Sequence, residues 1–137
     1  MSRNKRIQAV AFLLVKKGRF LIEKRQKTKK FDPGIWTIPA GKIEQNEEPE
    51  KAVKREAREE LGIKIKQPRF LCSLASHYPS HSMILHYFVD SKWTGKIRNL
   101  EAEKTQWIPL FETKKLKLRT DKQALQIFKT SKAGSRF

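Results

Sequence analysis

The chain has very little cysteine, with Cys72 as its single thiol, so no disulfide can form within it. A small secreted scaffold held together by disulfides is therefore excluded, and we expect a reducing, cytoplasmic location. Long apolar runs are also missing, because none approaches the ~20 residues that a membrane-spanning helix needs. Residues 7–15 are apolar after a basic start, but Lys16-Lys17-Gly18 follows without a small-residue cleavage site. This pattern favours a strand over a secretion signal and predicts no membrane partner.

Acidic residues are scarce: 14 Asp and Glu stand against 31 Lys and Arg, which gives a net charge of +17 and a pI near 10.3. Such an excess favours anionic partners in general, which include nucleotides, nucleic acid and acidic membrane surfaces. A Lys-rich surface that only keeps the protein in solution is the alternative, and composition does not decide between them. A monomer and a homodimer are equally compatible with these numbers.

The length of 137 residues, 38% of them hydrophobic, predicts one domain with an ordinary core. We place this domain at residues 7–130. A basic tail at residues 1–6 precedes it, and a flexible C-terminal tail at residues 131–137 follows it.

Apolar patterning predicts strands that alternate with two helices. The predicted strands cover residues 7–15, 20–22, 63–65, 69–76, 83–90, 93–97 and 107–110. Residues 49–61 form the clearest helix, with Pro49 in its first turn and Gly62 at its end. A second helix is predicted at residues 122–129, with Thr120 and Asp121 as its cap. The pattern indicates a mixed sheet with helices packed on it.

Half of the acids, seven of 14, lie between residues 44 and 60. Within the predicted helix, Glu56, Glu59 and Glu60 are spaced i, i+3 and i+4, so they share one face. Like charges at this spacing repel by a few tenths of a kcal/mol per pair in an isolated helix. Hard divalent cations would compensate, because carboxylate oxygens are their preferred ligands. From the helix alone, a solvated face paired with neighbouring Lys and Arg is the alternative.

The segment GKIEQNEEPEKAVKREAREELGI, residues 41–63, extends this pattern. It resembles the Nudix box, G-x5-E-x7-R-E-U-x-E-E-x-G-U, in which U is apolar. The fixed positions are all matched, by Gly41, Glu47, Arg55, Glu56, Glu59, Glu60 and Gly62. Seven such matches would coincide about once in 10⁸ start positions. A looser resemblance to the MutT-like branch covers most of the chain.

The resemblance implies the α/β Nudix fold, a mixed β-sheet sandwiched between α-helices. It also implies Mg²⁺-dependent hydrolysis of a pyrophosphate bond, with Mn²⁺ as a possible substitute. The metal-associated residues of the family match Gly41, Glu56, Glu59, Glu60 and Glu101 here. Gly41 would let the backbone turn tightly and offer its carbonyl, and Gly62 would end the helix. Arg55 would orient a ligand carboxylate with Glu47 as its partner, and the general base would be Glu59 or Glu101, with Glu103 as a substitute.

Four further residues are candidates for substrate binding by the same resemblance. Lys24 and Arg25 match basic residues that reach the phosphates, although simple surface charge would also explain them. Asp121 aligns with a purine-reading Asn, and Ile38 aligns near a Phe that lines the nucleoside pocket. These two departures leave the base specificity open, and for Asp121 a plain helix cap is the alternative.

The leading functional hypothesis is a nucleoside triphosphate pyrophosphohydrolase that releases a nucleoside monophosphate and pyrophosphate. Its role would be to remove unwanted nucleotides from the nucleotide pool. A second hypothesis is hydrolysis of RNA 5′-triphosphate ends, of dinucleoside polyphosphates or of ADP-ribose. A third, from another class, is a non-catalytic nucleic-acid-binding module with a vestigial box. The three intact glutamates of the helix argue against the third hypothesis, because a dead site has no need of clustered acids.

Overall fold

A computed structural model describes residues 5–131 of the chain as nine strands and two helices. The strands are β1 (Lys5–Lys16), β2 (Arg19–Lys24), β3 (Trp36–Thr37), β4 (Ala40–Lys42), β5 (Lys64–Ile65), β6 (Arg69–His77), β7 (His81–Asp90), β8 (Trp93–Thr94) and β9 (Lys104–Pro109). The helices are α1 (Pro49–Leu61) and α2 (Arg119–Thr130). The main sheet has the order β3-β2-β1-β7-β6, with β4 paired to β1 and β9 paired to β2. Strands β5 and β8 form a separate pair.

Strand β1 lies in the centre of the sheet, and its side chains are therefore buried on both faces. Residues 9–15 are all buried, as expected for a strand that is covered on both sides. β1 runs parallel to β7, from Lys5 opposite His81 to Leu14 opposite Asp90. Its other partners, β2 and β4, are antiparallel to it, so the sheet is mixed as predicted.

Each face of the sheet is covered by one helix, which confirms the α-β-α sandwich. On the first face α1 supplies the buried residues Ala52, Val53, Ala57 and Leu61. They pack against Val10, Phe12, Leu14 and Leu21. On the other face α2 supplies Ala124, Leu125 and Phe128, which pack with Ala9, Ala11 and Leu13.

Helix α1 has the predicted bounds for the predicted reasons. Pro49 occupies its first turn, where a missing N–H costs nothing. Gly62 ends it in the left-handed conformation, with φ +68°, and its N–H donates to the Arg58 carbonyl. An L side chain is strained in that conformation, so the expected stop at Gly62 is confirmed.

The predicted ends of the domain need correction. Lys5 and Arg6 belong to β1, where they pair with His81 and Ser82, so the prediction that they are part of a tail is wrong. Pairing with the parallel neighbour extends the strand beyond its apolar core. Residues 1–4 and 132–137 lie outside the described residues.

Helix α2 begins at Arg119, three residues before the predicted start, with Leu118 at the N-cap. Ser131, predicted to start the C-terminal tail, instead closes the helix by donating its N–H to the Phe128 carbonyl. Within residues 5–131, no helix is long and apolar enough to cross a lipid bilayer.

Candidate active site

Three carboxylates converge beside the sheet. Glu56 and Glu60 project from successive turns of α1, and Glu101 comes from the segment before β9; one oxygen from each lies within 4.8 Å of the others. The Leu100 N–H donates to the Glu60 carbonyl at 2.9 Å, which attaches the segment carrying Glu101 to the end of α1. The structure thus brings together three of the five predicted metal-associated residues.

The buried atoms of this cluster fit a divalent cation. Glu60 is only 4% exposed, and its Oε2 has no hydrogen-bond partner in the described part of the chain. An unpaired buried carboxylate oxygen is costly, and a hard cation would satisfy it. The residues present therefore suit a divalent cation bound by oxygen ligands.

Electrostatics indicate the same need for a counter-charge. Burial raises the pKa of Glu60 well above its usual value, and the negative charges of Glu23, Glu56 and Glu101 raise it further. Burial also raises the pKa of Glu56, against the lowering effect of Arg55. The fold holds these carboxylates together at a cost, and a bound cation would offset it.

Position 41 requires glycine for a different reason from the one predicted. It lies in β4, opposite Val10, and it is not among the positive-φ glycines of the described chain, so the tight-turn explanation is wrong. A Cβ at this position would lie 2.0 Å from the Glu56 carboxyl carbon and 2.3–2.4 Å from its two oxygens. Gly41 is required because the Glu56 carboxylate packs against its backbone. The metal contact of its carbonyl stays a prediction.

Arg55 connects the loop to the acidic face of α1, as predicted. Its guanidinium donates to both carboxylate oxygens of Glu47, at 2.7 and 2.9 Å, and to Glu56 Oε1 at 2.8 Å. It also donates to the Lys42 carbonyl at 2.9 Å. The paired hydrogen bonds from Arg55 lower the pKa of Glu47 to about 2. Arg55 therefore orients Glu56 while Glu47 holds Arg55 in place.

Glu59 lies apart from the three converging carboxylates of the described chain. Its side chain is 53% exposed, and its Oε2 accepts a hydrogen bond from Arg55 at 3.2 Å. Glu59 follows Glu56 by three positions, so it lies on the acidic face of α1 but its side chain is closer to solvent. Its roles as metal ligand and base stay predictions.

Two charged residues near the cluster were missed at the sequence level. Glu23, at the end of β2, is only 3% exposed, and its burial raises its pKa to about 7. A lone acid after the apolar run Phe20-Leu21-Ile22 was the available signal. Lys29 donates to Glu101 Oε1 at 2.7 Å, and its charge lowers the pKa of both Glu23 and Glu60. Nothing in the local pattern of the basic loop distinguished Lys29 from its neighbours.

A pocket of about 300 Å³ opens beside the carboxylates. One part of its lining is cationic, with Arg25, Lys29, Lys30 and Lys42. Apolar and aromatic side chains also line it, namely Phe31, Ile38, Tyr78, Met83, Leu85 and Leu118, and the Lys30 and Lys42 ammonium groups lie 5.5 and 5.0 Å from the centre of the Phe31 ring. Of the predicted substrate residues, Arg25, Ile38 and Asp121 line this pocket, whereas Lys24 is not among its described lining residues.

Asp121 is a buried residue of the pocket lining that binds two other parts of the fold. Its Oδ2 accepts the Ile38 N–H at 3.0 Å, and its Oδ1 accepts the Tyr87 hydroxyl at 2.6 Å. The N-cap of α2 is Leu118, and it makes no side-chain capping bond, so the helix-cap alternative for Asp121 is wrong. Burial raises the pKa of Asp121 to about 6, although both hydrogen bonds act in the opposite direction.

The raised pKa of Asp121 predicts a pH-dependent stability that Asp121→Asn removes. Because the folded pKa of about 6 exceeds the usual 3.8, the contribution is fully present below pH 3.8 and is lost as the pH rises through 6. That difference corresponds to about 3 kcal/mol. Asn keeps both contacts, because its oxygen accepts from Ile38 and its amide donates to the Tyr87 oxygen.

We expect urea denaturation of Asp121→Asn and the unchanged protein to show this in their difference. Between pH 4 and pH 7, the unfolding free energy of the variant should rise by about 2.4 kcal/mol relative to that of the unchanged protein. A difference that is constant across this range would contradict the assignment.

The fold and the site together define a hydrolase class: an α-β-α sandwich in which one helix and the segment before β9 present carboxylates suited to a divalent cation. The family model of the NUDIX domain matches residues 4–129. An 8-oxo-dGTP diphosphatase of Buchnera aphidicola is 33% identical over 102 residues, which cover 74% of this chain and 76% of the relative. A NAD-capped RNA hydrolase NudC of Chromobacterium violaceum is 36% identical over 98 residues, 72% of this chain but only 36% of the relative.

A solved structure extends the similarity to the whole fold. The MutT NUDIX hydrolase of Burkholderia pseudomallei superposes with a TM-score of 0.81 at 25% identity, over 90% of this chain and 98% of that one. The chain belongs to the Nudix family. It is a MutT-like pyrophosphohydrolase that acts on nucleotides.

Proposed function

We propose that the protein hydrolyses nucleoside triphosphates to a nucleoside monophosphate and pyrophosphate, with Mg²⁺ as cofactor and Mn²⁺ as a substitute. The observation that carries this proposal is the pocket itself, whose lining combines three converging carboxylates with four cationic side chains and a set of apolar and aromatic ones. A nucleotide needs all three kinds of contact, because it joins a polyanionic chain, which binds metal and cations, to a flat base. The proposed place of action is the cytoplasm.

The phosphate chain is proposed to lie between the carboxylates and the lysines. When bound, a divalent cation supplies charge neutralisation and a water molecule of lowered pKa. Glu56, Glu60 and Glu101 would hold it, with Glu59 and the Gly41 carbonyl as further ligands. Lys29 reaches this cluster from the pocket wall and Arg25 lines the same wall, so both can contact phosphate oxygens. Lys24 would contribute to the surrounding positive field.

Proton removal from the attacking water is assigned to a carboxylate at the pocket edge. Glu101 is the first choice, because its side chain is 38% exposed and adjoins both Glu60 and the pocket. Glu59 is the alternative, since it is more exposed and held by Arg55. A base needs hydrogen-bond reach to the water, directly or through one further water.

The nucleobase of the substrate is proposed to lie against the apolar lining residues of the pocket, over Ile38 and beside the Tyr78 ring. A carboxylate has about four acceptor positions, and Asp121 uses two of them for Ile38 and Tyr87. The remaining positions can accept hydrogen bonds from N–H groups on a purine edge. This arrangement favours bases that present donors, guanine and oxidised guanine among them.

The test is a substrate panel incubated with Mg²⁺ and assayed for released pyrophosphate, phosphate and nucleoside monophosphate. It contains NTPs, dNTPs, 8-oxo-dGTP, ADP-ribose, dinucleoside tetraphosphate, 5′-triphosphate RNA and NAD-capped RNA. We expect a nucleoside triphosphate to give the highest kcat/KM, with pyrophosphate as product. Cleavage of RNA ends alone would overturn the triphosphate assignment, and no cleavage would leave the binding-module hypothesis.

The assignment of Glu101 as the general base is tested with two matched variants, Glu101→Gln and, as its control, Glu103→Gln. Glu103 is exposed in the same segment, and only its backbone N–H has a described role, donating to the Lys24 carbonyl. We expect a fall of about 10²–10⁴-fold in kcat for Glu101→Gln and a near-unchanged kcat for Glu103→Gln. Equal activity of the two variants would transfer the role to Glu59.

A further inference from the structure

A second basic surface lies at the far end of β2 from the carboxylates. We call it the tryptophan face: two depressions on either side of Trp93. The first, of about 640 Å³, is lined by four cationic side chains, Lys16, Lys17, Arg19 and Lys96. The second is lined by three more, Lys66, Arg69 and Lys92. Trp93 lines both depressions, so they adjoin each other at this residue.

Negative charge is almost missing from this surface. Within the described chain, Asp90 is the one acid that lines either depression. It is 7% exposed, and its Oδ1 accepts the Lys92 N–H at 2.6 Å. Arg69 interacts electrostatically with Asp90, and the other six cations are exposed without a described acidic partner among the lining residues, which suits a row of phosphates.

Aromatic rings lie among these cations. Trp93 and Trp107 are half-buried and stacked, with ring centres 6.0 Å apart and planes 18° from parallel. The Lys16 ammonium lies 5.5 Å from the centre of the Trp93 ring. Such an exposed cation–π contact is worth about 0.5–1 kcal/mol, whereas a nucleobase stacked on an aromatic side chain contributes about 1–3 kcal/mol. A base can therefore displace Lys16, which would then be free to contact a phosphate.

We infer that the tryptophan face binds single-stranded nucleic acid, with phosphates on the lysines and a base on Trp93. Duplex nucleic acid fits less well, because its bases are already stacked on one another. An anionic membrane also fits less well, because the two depressions are concave and none of their lining residues is an exposed apolar side chain that could insert into lipid. This inference does not depend on the proposed nucleotide substrate.

The first depression of the tryptophan face and the carboxylate cluster lie on the same side of the sheet, whereas the second depression includes Arg69, which pairs with Val89 of the α2 layer. Arg19, Leu21 and Glu23 alternate along β2 and therefore point to one face, and Leu21 packs in the α1 layer. Arg19 and Glu23 are four positions apart, which corresponds to about 13 Å along the strand. A bound strand thus lies beside the catalytic pocket but outside it.

Binding is tested on the full chain with a single-stranded oligonucleotide of about ten nucleotides, as RNA and as DNA, by tryptophan quenching and anisotropy. The test variant is Lys16→Gln with Lys96→Gln. The control is Lys117→Gln with Lys122→Gln, which removes the same charge from exposed positions around the start of α2. We expect about tenfold weaker binding for the test pair alone, with the slope of log affinity against log salt reduced by about 1.4.

Trp93→Leu should reduce the affinity about tenfold and remove most of the quenching. Hydrolysis of a free nucleoside triphosphate should be unchanged in the lysine pair, so failure here and failure of the proposed activity are separable. Equal loss in the two lysine pairs would overturn the site, since it would show a response to net charge alone. Binding to phosphatidylserine vesicles without oligonucleotide quenching would overturn it in favour of a membrane surface.

Discussion

Glu60→Gln is expected to lower kcat by about a thousandfold while making the cation-free protein more stable. The loss follows because Gln replaces a charged oxygen ligand with a weaker neutral one in the middle of the carboxylate cluster. The gain follows because Glu60 is buried beside Glu23, Glu56 and Glu101, and its Oε2 has no partner within the described residues. Removing that charge should raise the unfolding free energy by about 1 kcal/mol.

Three measurements check this expectation: kcat with Mg²⁺, Mn²⁺ affinity by calorimetry without substrate, and urea denaturation with chelator present. Glu50→Gln is the matched control, since Glu50 lies in the same helix with a side chain that is 58% exposed and only a 3.9 Å contact to Lys54. We expect the control to leave all three quantities near those of the unchanged protein. Unaltered Mn²⁺ affinity in Glu60→Gln would remove this residue from the proposed cation site.

Gly41→Ala is expected to cost about a hundredfold in activity and about 1–3 kcal/mol in stability. The added Cβ would overlap the Glu56 carboxylate, at 2.0 Å from its carboxyl carbon. Glu56 cannot move freely, because it is 8% exposed and its Oε1 accepts a hydrogen bond from Arg55. Overpacking of this kind forces side chains out of place and has costs of this size. The displaced carboxylate would leave the cluster incomplete.

A double-mutant cycle with Glu56→Ala isolates the cause. If the clash with Glu56 is responsible, Gly41→Ala should cost little stability once the Glu56 side chain is shortened, which gives a coupling of about 1–3 kcal/mol. Additive effects on the unfolding free energy would instead indicate that the backbone of β4 itself requires glycine.

The local parts of the site followed from the sequence because they lie within one turn or one short loop. The bounds of α1 were predictable from Pro49 and Gly62, and the Glu47–Arg55 pair followed from the box. Glu101 was predictable only through the family resemblance. Its distance from α1 depends on a long-range hydrogen bond, which the Leu100 N–H donates to the Glu60 carbonyl. The function of Gly41 was misjudged, because its neighbour Glu56 belongs to another element.

Long-range contacts account for the remaining differences. Glu23 is an isolated acid in its strand until the sheet places it beside Glu60. For Asp121 the sequence left a purine-binding role and a helix cap open, and the packing of α2 excludes the cap because it brings the carboxylate to Tyr87 and the Ile38 backbone. Local rules for strands and caps contain no information about which side chains face each other across layers.

The order of residues along the chain was sufficient to determine the family, the acidic helix face and the excess of positive charge, because each depends on spacing or composition. Tertiary structure alone decided which carboxylates meet, which lysine faces them and where the basic residues gather around Trp93. The physical reason is that distances between electrostatic partners in different elements are set by the packing of the sheet and its two helices, not by separation along the chain.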